Sequence, residues 1–321
     1  MERLVLTLAI IFVSIAAGYA FQRRVASGRS MIMEERSSRM RLSLQKAAMF
    51  GLIPFSAMLS LWGLPSPDSR LLALPVLGVF AWSLGGALAV LVSRLMGLSR
   101  VQTGSMYCCG SFINIGAVGS LVAVMQFGEQ SIALSSLFRL CEELFYFGVA
   151  CPVARWYGSG DDAQERSAFR VGPVLKIIVL ALGLGIVLNL LGIRRPAMFG
   201  ALSTAAMILG TVCFLFTIGM GLRLSRITCY IPQAAVLSLV KFVCVPVAVV
   251  FAARLSGLGH IDGGLPLKVA AVLSAMPVAM NALILPSLFR LDLDLANACW
   301  LLTTAALVAV LPALVIILPL L

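Results

Sequence analysis

Ten apolar runs divide the sequence, at about 4–20, 43–63, 71–96, 102–125, 131–154, 173–193, 198–222, 233–254, 267–288 and 294–320, each closed by charged or turn-forming residues. A helix needs about 20 apolar residues to cross a hydrocarbon core, where no water is at hand to satisfy backbone N–H and C=O groups. Only helices or a closed barrel meet that demand, and runs this long without strict alternation select helices. With 61% of the 321 residues apolar and 12% charged, no soluble domain could cover so much apolar surface. The expected fold class is an all-α integral membrane protein with ten transmembrane helices, and its function must lie among them.

The net charge of +11 does not form a basic face for nucleic acid, because the arginines and lysines flank the apolar runs. Alternate loops carry sixteen of them: Arg23, Arg24, Arg29, Arg36, Arg39, Arg41, Lys46, Arg94, Arg100, Arg155, Arg166, Arg170, Lys176, Arg223, Arg226 and Arg290. The opposite side holds six, namely Arg3, Arg70, Arg194, Arg195, Arg254 and Lys268, so the positive-inside rule puts both termini outside the cytoplasm. Arg36, Arg39 and Arg41 are expected at the anionic inner leaflet. Residues 1–20 read as a first span and not as a cleaved signal, since Glu2 cancels Arg3 before the run while Arg23 and Arg24 follow it. The eight cysteines form no CxxC pair and the single histidine, His260, lies in a loop, so no metal site and no cofactor is expected. Most of the thiols should be buried as small hydrophobes.

Two runs are interrupted at mid-membrane depth. The first reads Cys-Gly-Ser-Phe-Ile-Asn114-Ile-Gly-Ala-Val-Gly and the second Met-Pro277-Val-Ala-Met-Asn281-Ala-Leu-Ile-Leu-Pro. Unwound backbone inside a membrane is tolerated only where protein or a polar cavity satisfies it, and paired interruptions at matching places point to a transporter's binding site. The polar stretch Tyr157–Arg170 separates five runs from five, giving a first repeat at 1–157, a cytoplasmic linker at 158–172 and a second repeat at 173–321. An odd number of spans per half inverts one half relative to the other, and the breaks then fall in helices 4 and 9, the fourth of each half. Asn114 and Asn281, two of only four asparagines, can each offer donors and an acceptor to a carboxylate, and adjoining half-helix N-termini add positive character. The blander reading is that each asparagine merely bridges two helices.

Four ionisable residues lie deep in spans: Arg139, Glu142 and Glu143 in the fifth, and Lys241 in the eighth. Arg139 reaches Glu142 or Glu143 at i+3 or i+4, leaving one carboxylate for Lys241 at a similar depth. Charges buried in a membrane pair and often mark substrate or proton routes. One proton added to Glu142 or Glu143, or removed from Lys241, would break such a pair and link proton movement to transport; a static charge cluster holding helices together is the alternative. Pro54, Pro75, Pro246 and Pro312 are expected to kink helices, and Gly85, Gly86, Gly219 and Gly221 to permit close packing.

The segment Ser111-Phe-Ile-Asn114-Ile-Gly116-Ala-Val-Gly119, followed by Phe127-Gly128-Glu129, resembles the first crossover of the auxin efflux carrier family, which includes bacterial malonate and malate permeases. The second half is similar too, through Asn189-Leu-Leu-Gly-Ile, Ile218-Gly-Met-Gly-Leu222, Lys241 with Pro246, and Ala275-Met-Pro277 with Asn281. The resemblance implies a five-plus-five inverted repeat whose scaffold and transport domains move against one another, with crossed, broken helices holding an organic anion. It places Asn114 and Gly116 at the first crossover and Pro277 with Asn281 at the second. One position departs, since Leu121 stands where the family usually has a proline.

The leading expectation is thus a secondary carrier for a small organic anion, a carboxylate, in a bacterial inner or plasma membrane. Its partners would be that anion, membrane lipid and, under the coupling reading, a proton; a homodimer is left open. One rival is a cation/proton antiporter using Glu142, Glu143 and Lys241, against which Arg139 leaves no spare negative charge for a cation. Another is a non-transporting receptor or structural protein. No enzyme is expected, because no histidine lies in a span and no aspartate is deep enough to pair with a serine.

Overall fold

The computed structural model describes residues 2–27, 31–64, 68–158, 173–221 and 227–321. From residue 159 on, the expected linker lies outside the described residues, as do Arg29, Arg166, Arg170, Arg223 and Arg226 of the basic loops. The first half contains α1 (Glu2–Ser27), α2 (Met31–Lys46), α3 (Ile53–Trp62), α4 (Ala73–Leu95), α5 (Arg100–Ser111), α6 (Ser120–Phe127), α7 (Gln130–Phe138), α8 (Glu142–Phe145) and α9 (Cys151–Tyr157). The second contains α10 (Pro173–Leu190), α11 (Met198–Met220), α12 (Ile231–Leu239), α13 (Val245–Leu255), α14 (Leu265–Ser274), α15 (Ile284–Leu288) and α16 (Leu293–Ile317). Among the described residues there is no β-strand, only one isolated bridge between Ile113 and Val278.

Five stretches are long and apolar enough to cross a membrane: Glu2–Val25, Ser69–Leu95, Met198–Met220, Thr228–Leu255 and Leu293–Leu320. Shorter apolar helices occupy Ile53–Trp62, Ile115–Phe127 and Val179–Leu190. Both expected interruptions are present, and a third was not expected: the run 131–154 is split by a turn at 139–141 between α7 and α8. That run contains neither glycine nor proline at the turn, so local composition gives no sign of it. The turn closes on its own backbone, with Leu140 N–H on the Leu137 carbonyl at 3.1 Å and Glu142 N–H on that of Arg139 at 2.9 Å.

Prolines explain three further irregularities. Ala47–Leu52, Tyr146–Ala150 and Val240–Cys244 are π-helical, and each ends two residues before a proline, Pro54, Pro152 or Pro246. A proline has no N–H for the carbonyl four residues back and its ring pushes that carbonyl aside. The residue before each proline accordingly donates five residues back: Ile53 to Ala48, Cys151 to Tyr146 and Val245 to Val240. The helix continues with one wide turn where it could have broken.

The chain forms two compact units, each drawn from both halves. Unit 1 comprises Met1–Pro67, Gly116–Ser136 and Pro173–Arg223. Here α1 packs on α11 through glycines: a Cβ on Gly18 would collide with the Phe216 carbonyl oxygen, and one on Gly219 with that of Ile15. Ser56, Ser60 and Ser203 join α3 to α11 by buried hydrogen bonds of 2.7 to 3.2 Å. Asn189 donates to the carbonyls of Trp62 and Leu64 at 3.0 and 2.7 Å, and so acts as the bridging asparagine that membrane helices commonly use. Arg195 pairs with Glu129 and also donates to the Leu59 carbonyl at 2.9 Å.

Unit 2 comprises Asp68–Ile115, Leu137–Gly172 and Leu224–Leu321. Its α4 and α5 approach so closely that a Cβ on Gly85 would strike the Gly110 carbonyl oxygen. The fully buried ring of Phe112 lies 6.2 Å from that of Phe145 and 5.0 Å from that of Tyr146, and Phe145 in turn packs on Trp82 at 5.6 Å. This aromatic cluster packs around Phe112, the residue that follows the last of α5.

Candidate functional site

Unit 2 contains the whole of the second interruption and the first as far as Ile115. Helix α5 starts with a capping box, in which Ser99 and Gln102 satisfy each other's backbone N–H, and it ends at Ser111. Phe112 is extended, with φ −86° and ψ 128°. Helix α14 ends at Ser274, Ala275 turns at φ −90° and ψ 19°, and the chain is extended by Ala279, at φ −75° and ψ 152°. Pro277 enforces this, because it lacks an N–H and drives the preceding residue away from helical angles.

The two extended segments pair antiparallel. Asn114 N–H donates to the Pro277 carbonyl at 2.9 Å, and Ala279 N–H to the Phe112 carbonyl at 3.2 Å, around the Ile113–Val278 bridge. Between them, Val278 N–H donates to Thr303 Oγ1 at 3.2 Å, and that hydroxyl donates to the Cys299 carbonyl at 2.8 Å. Buried peptide groups must find partners, so each interruption supplies what the other lacks, with α16 serving a group that neither reaches.

Lys241 lies in the π-helical turn ahead of Pro246 and is wholly buried. Its Nζ donates to the Phe112 carbonyl at 2.8 Å. That carbonyl belongs to the C-cap of α5, where the helix dipole is negative, which is favourable for an ammonium group. The expected pairing of Lys241 with Glu142 or Glu143 is therefore corrected: among the described residues no ion pair joins Lys241 to a carboxylate. The physical reason is that the unpaired end of α5 offers the cation an acceptor at the same depth.

Arg139 and Glu142 do pair, Nε to Oε2 at 3.0 Å across the turn that splits the fifth run. Asn281 Nδ2 donates to Glu142 Oε1 at 3.2 Å, so both carboxylate oxygens are engaged, while the buried Asn281 Oδ1 has no partner among the described residues. Glu143 is half-buried and has neither ion pair nor hydrogen bond among them. The structure thus brings Asn114 to Pro277, and Asn281 to Glu142, whose other oxygen holds Arg139. Gly116 falls in unit 1, in the π-helical stretch Ile115–Gly119 that follows the first interruption.

Sequence reasoning missed the Phe112 carbonyl, Thr303 and the turn at 139–141. Thr303 could have been found as part of a Thr-Thr pair inside an apolar run, whereas a backbone carbonyl carries no residue-type signal at all.

No protein-family model matches the chain. Over 242 residues, 74% of this chain and 75% of the other, it is 24% identical to a protein of Methanothermobacter thermautotrophicus named an uncharacterized transporter. The apolar helices and this likeness together fit a multi-pass membrane transporter.

Proposed function

We propose that the chain is a secondary carrier for a small organic anion, a carboxylate, of the auxin efflux carrier type, working by movement of unit 2 as transport domain against unit 1 as scaffold. The observation that carries this reading is a buried lysine beside two mutually paired helix interruptions, with no carboxylate bonded to it among the described residues. A buried cation attracts an anion strongly, and the donors of Asn114 and Asn281 flank the same interruptions. Residues 1–157 and 173–321 are the two inverted repeats of this reading, and both termini face away from the cytoplasm.

Glu142 is the group through which a proton would act. As a carboxylate it accepts from Arg139 and from Asn281 Nδ2. Once protonated it becomes a donor, and a turn of the Asn281 amide would present the otherwise orphaned Oδ1 to receive it. Proton uptake would thus reorient a side chain at the second interruption. Glu143, beside it, is the second acid available to the same route. The antiporter reading would have to rest on Glu143, because Glu142 is already neutralised by Arg139.

The test is a thermal-shift screen of purified protein against malonate, malate and related carboxylates at two pH values. A ligand at about 100 times its dissociation constant should add about 2.7 kcal/mol to stability. Asn114→Ala that folds normally and keeps the full shift would remove the interruption from the binding site.

A further inference from the structure

Far from the interruptions, at the other end of unit 2, three helices meet on one carboxylate. Asp292 caps α16 by accepting the Leu295 N–H at Oδ1, 2.9 Å. Its other oxygen accepts the Tyr230 hydroxyl at 2.8 Å and the Gln102 amide at 3.4 Å, while its carbonyl accepts the Ser105 hydroxyl at 2.7 Å. Tyr230 opens the helix that carries Lys241, and Gln102 lies in the first turn of α5. Gln102 is bound on both sides, because its amide oxygen also accepts Ser99 N–H at 3.1 Å in the capping box.

The spacing from this knot to the interruptions is nearly equal along all three helices. Phe112 lies ten residues beyond Gln102, Lys241 eleven beyond Tyr230, and Thr303 eleven beyond Asp292. At about 1.5 Å per residue the paths are roughly 15–17 Å long, so the three groups arrive at one level. They are also the groups that bond there: Lys241 to the Phe112 carbonyl, and Thr303 to Val278, whose neighbour Ala279 binds the same carbonyl. A slip of one helix by a single residue would move its group by about 1.5 Å, enough to lose a hydrogen bond.

We infer that Asp292 is a positioning residue that fixes the common register of α5, the Lys241 helix and α16, and through them the pairing of the two interruptions. It touches neither Lys241 nor the paired segments. The register is a property of unit 2 alone; its bearing on transport rests on the function proposed above.

Hydrogen–deuterium exchange of the full-length protein in lipid nanodiscs tests this without any transport measurement. Asp292→Ala and Tyr230→Phe should accelerate exchange of the Asn114 and Ala279 amides about fivefold. Asp292→Asn keeps the capping oxygen for Leu295 N–H but sets an amide NH2 against the Gln102 donor, so it should leave residues 292–296 slow and still accelerate the Asn114 and Ala279 amides. Acceleration confined to residues 99–105, 228–232 and 292–296 would reduce Asp292 to a local cap and overturn the inference. Should Asp292→Ala not fold, Tyr230→Phe removes one hydroxyl and decides alone. Loosened amides with unchanged carboxylate binding would sustain the register role and count instead against the interruptions as the substrate site.

Discussion

Unit 2 contains one wholly buried cation and one half-buried cation at the candidate site, and treats them differently. Arg139 keeps a quarter of its side chain exposed, sits at a turn, and is neutralised by Glu142. Lys241 is wholly buried and has for its partner the end of a broken helix. The chemistry of the two groups fits these places: guanidinium suits the forked carboxylate, whereas the compact ammonium suits a single carbonyl. The difference teaches that a half-helix end can partner a buried lysine where, among the described residues, no carboxylate is bonded to it. A carbonyl does not cancel an ammonium charge, so under the function proposed above Lys241 is the group left to attract an anion, whereas Arg139 is matched by Glu142.

The sharpest way to break this comparison is Lys241→Met, which keeps the apolar stem and removes the charge. Affinity for a carboxylate should fall about a hundredfold, on the order of 2.7 kcal/mol, while stability stays within about 1 kcal/mol of wild type. Calorimetric titration and thermal unfolding measure the two effects separately, and unchanged affinity would make the two cations equivalent. Next in size is Glu142→Gln, which leaves Arg139 without its counter-charge. Proteoliposome uptake should lose about tenfold of its dependence on a proton gradient; wild-type dependence in both Glu142→Gln and Glu143→Gln would make the Arg139 cluster a static fastener.

Thr303→Val probes the backbone instead of the charge, since it orphans Val278 N–H at a buried position. The expected loss is about 1–3 kcal/mol of stability, read from denaturant or thermal unfolding, with Lys241 chemistry intact. The smallest effect belongs to a surface contrast, Asp68 with Arg70, an exposed ion pair whose arginine holds the Asp68 carboxyl below its ordinary pKa. Because the folded value is lowered, its contribution is complete above the ordinary carboxylate range and disappears as pH falls through the lowered value. Asp68→Asn should leave the melting temperature at pH 7 unchanged within error, as solvent screens the pair.

How far these sites could be read from sequence depends on what kind of group does the work. Both interruptions were legible because Pro277, the glycines after Asn114 and the two asparagines are residue types that break an apolar helix. Spacing allows Arg139 to pair with Glu142 or Glu143 alike, and the turn that selects Glu142 leaves no mark in the sequence. Lys241 is legible as a buried charge but its partner is not, since a carbonyl freed by helix termination is invisible in a string of side chains. Gly219 and Gly85 mark close packing, as expected from small residues in apolar runs. Asp292 was passed over because it sits at a span's edge, where acids are ordinary; only the convergence of three helices distinguishes it.

The mutual pairing of the interruptions also bears on how the chain is made. Asn114 N–H finds its acceptor on Pro277, 163 residues later in the sequence. At about 5–20 residues per second, a ribosome takes on the order of ten seconds or more to deliver it. Throughout that interval the end of α5 must be kept out of lipid by some other group. The first half therefore cannot complete its own hydrogen bonding until the second has been made.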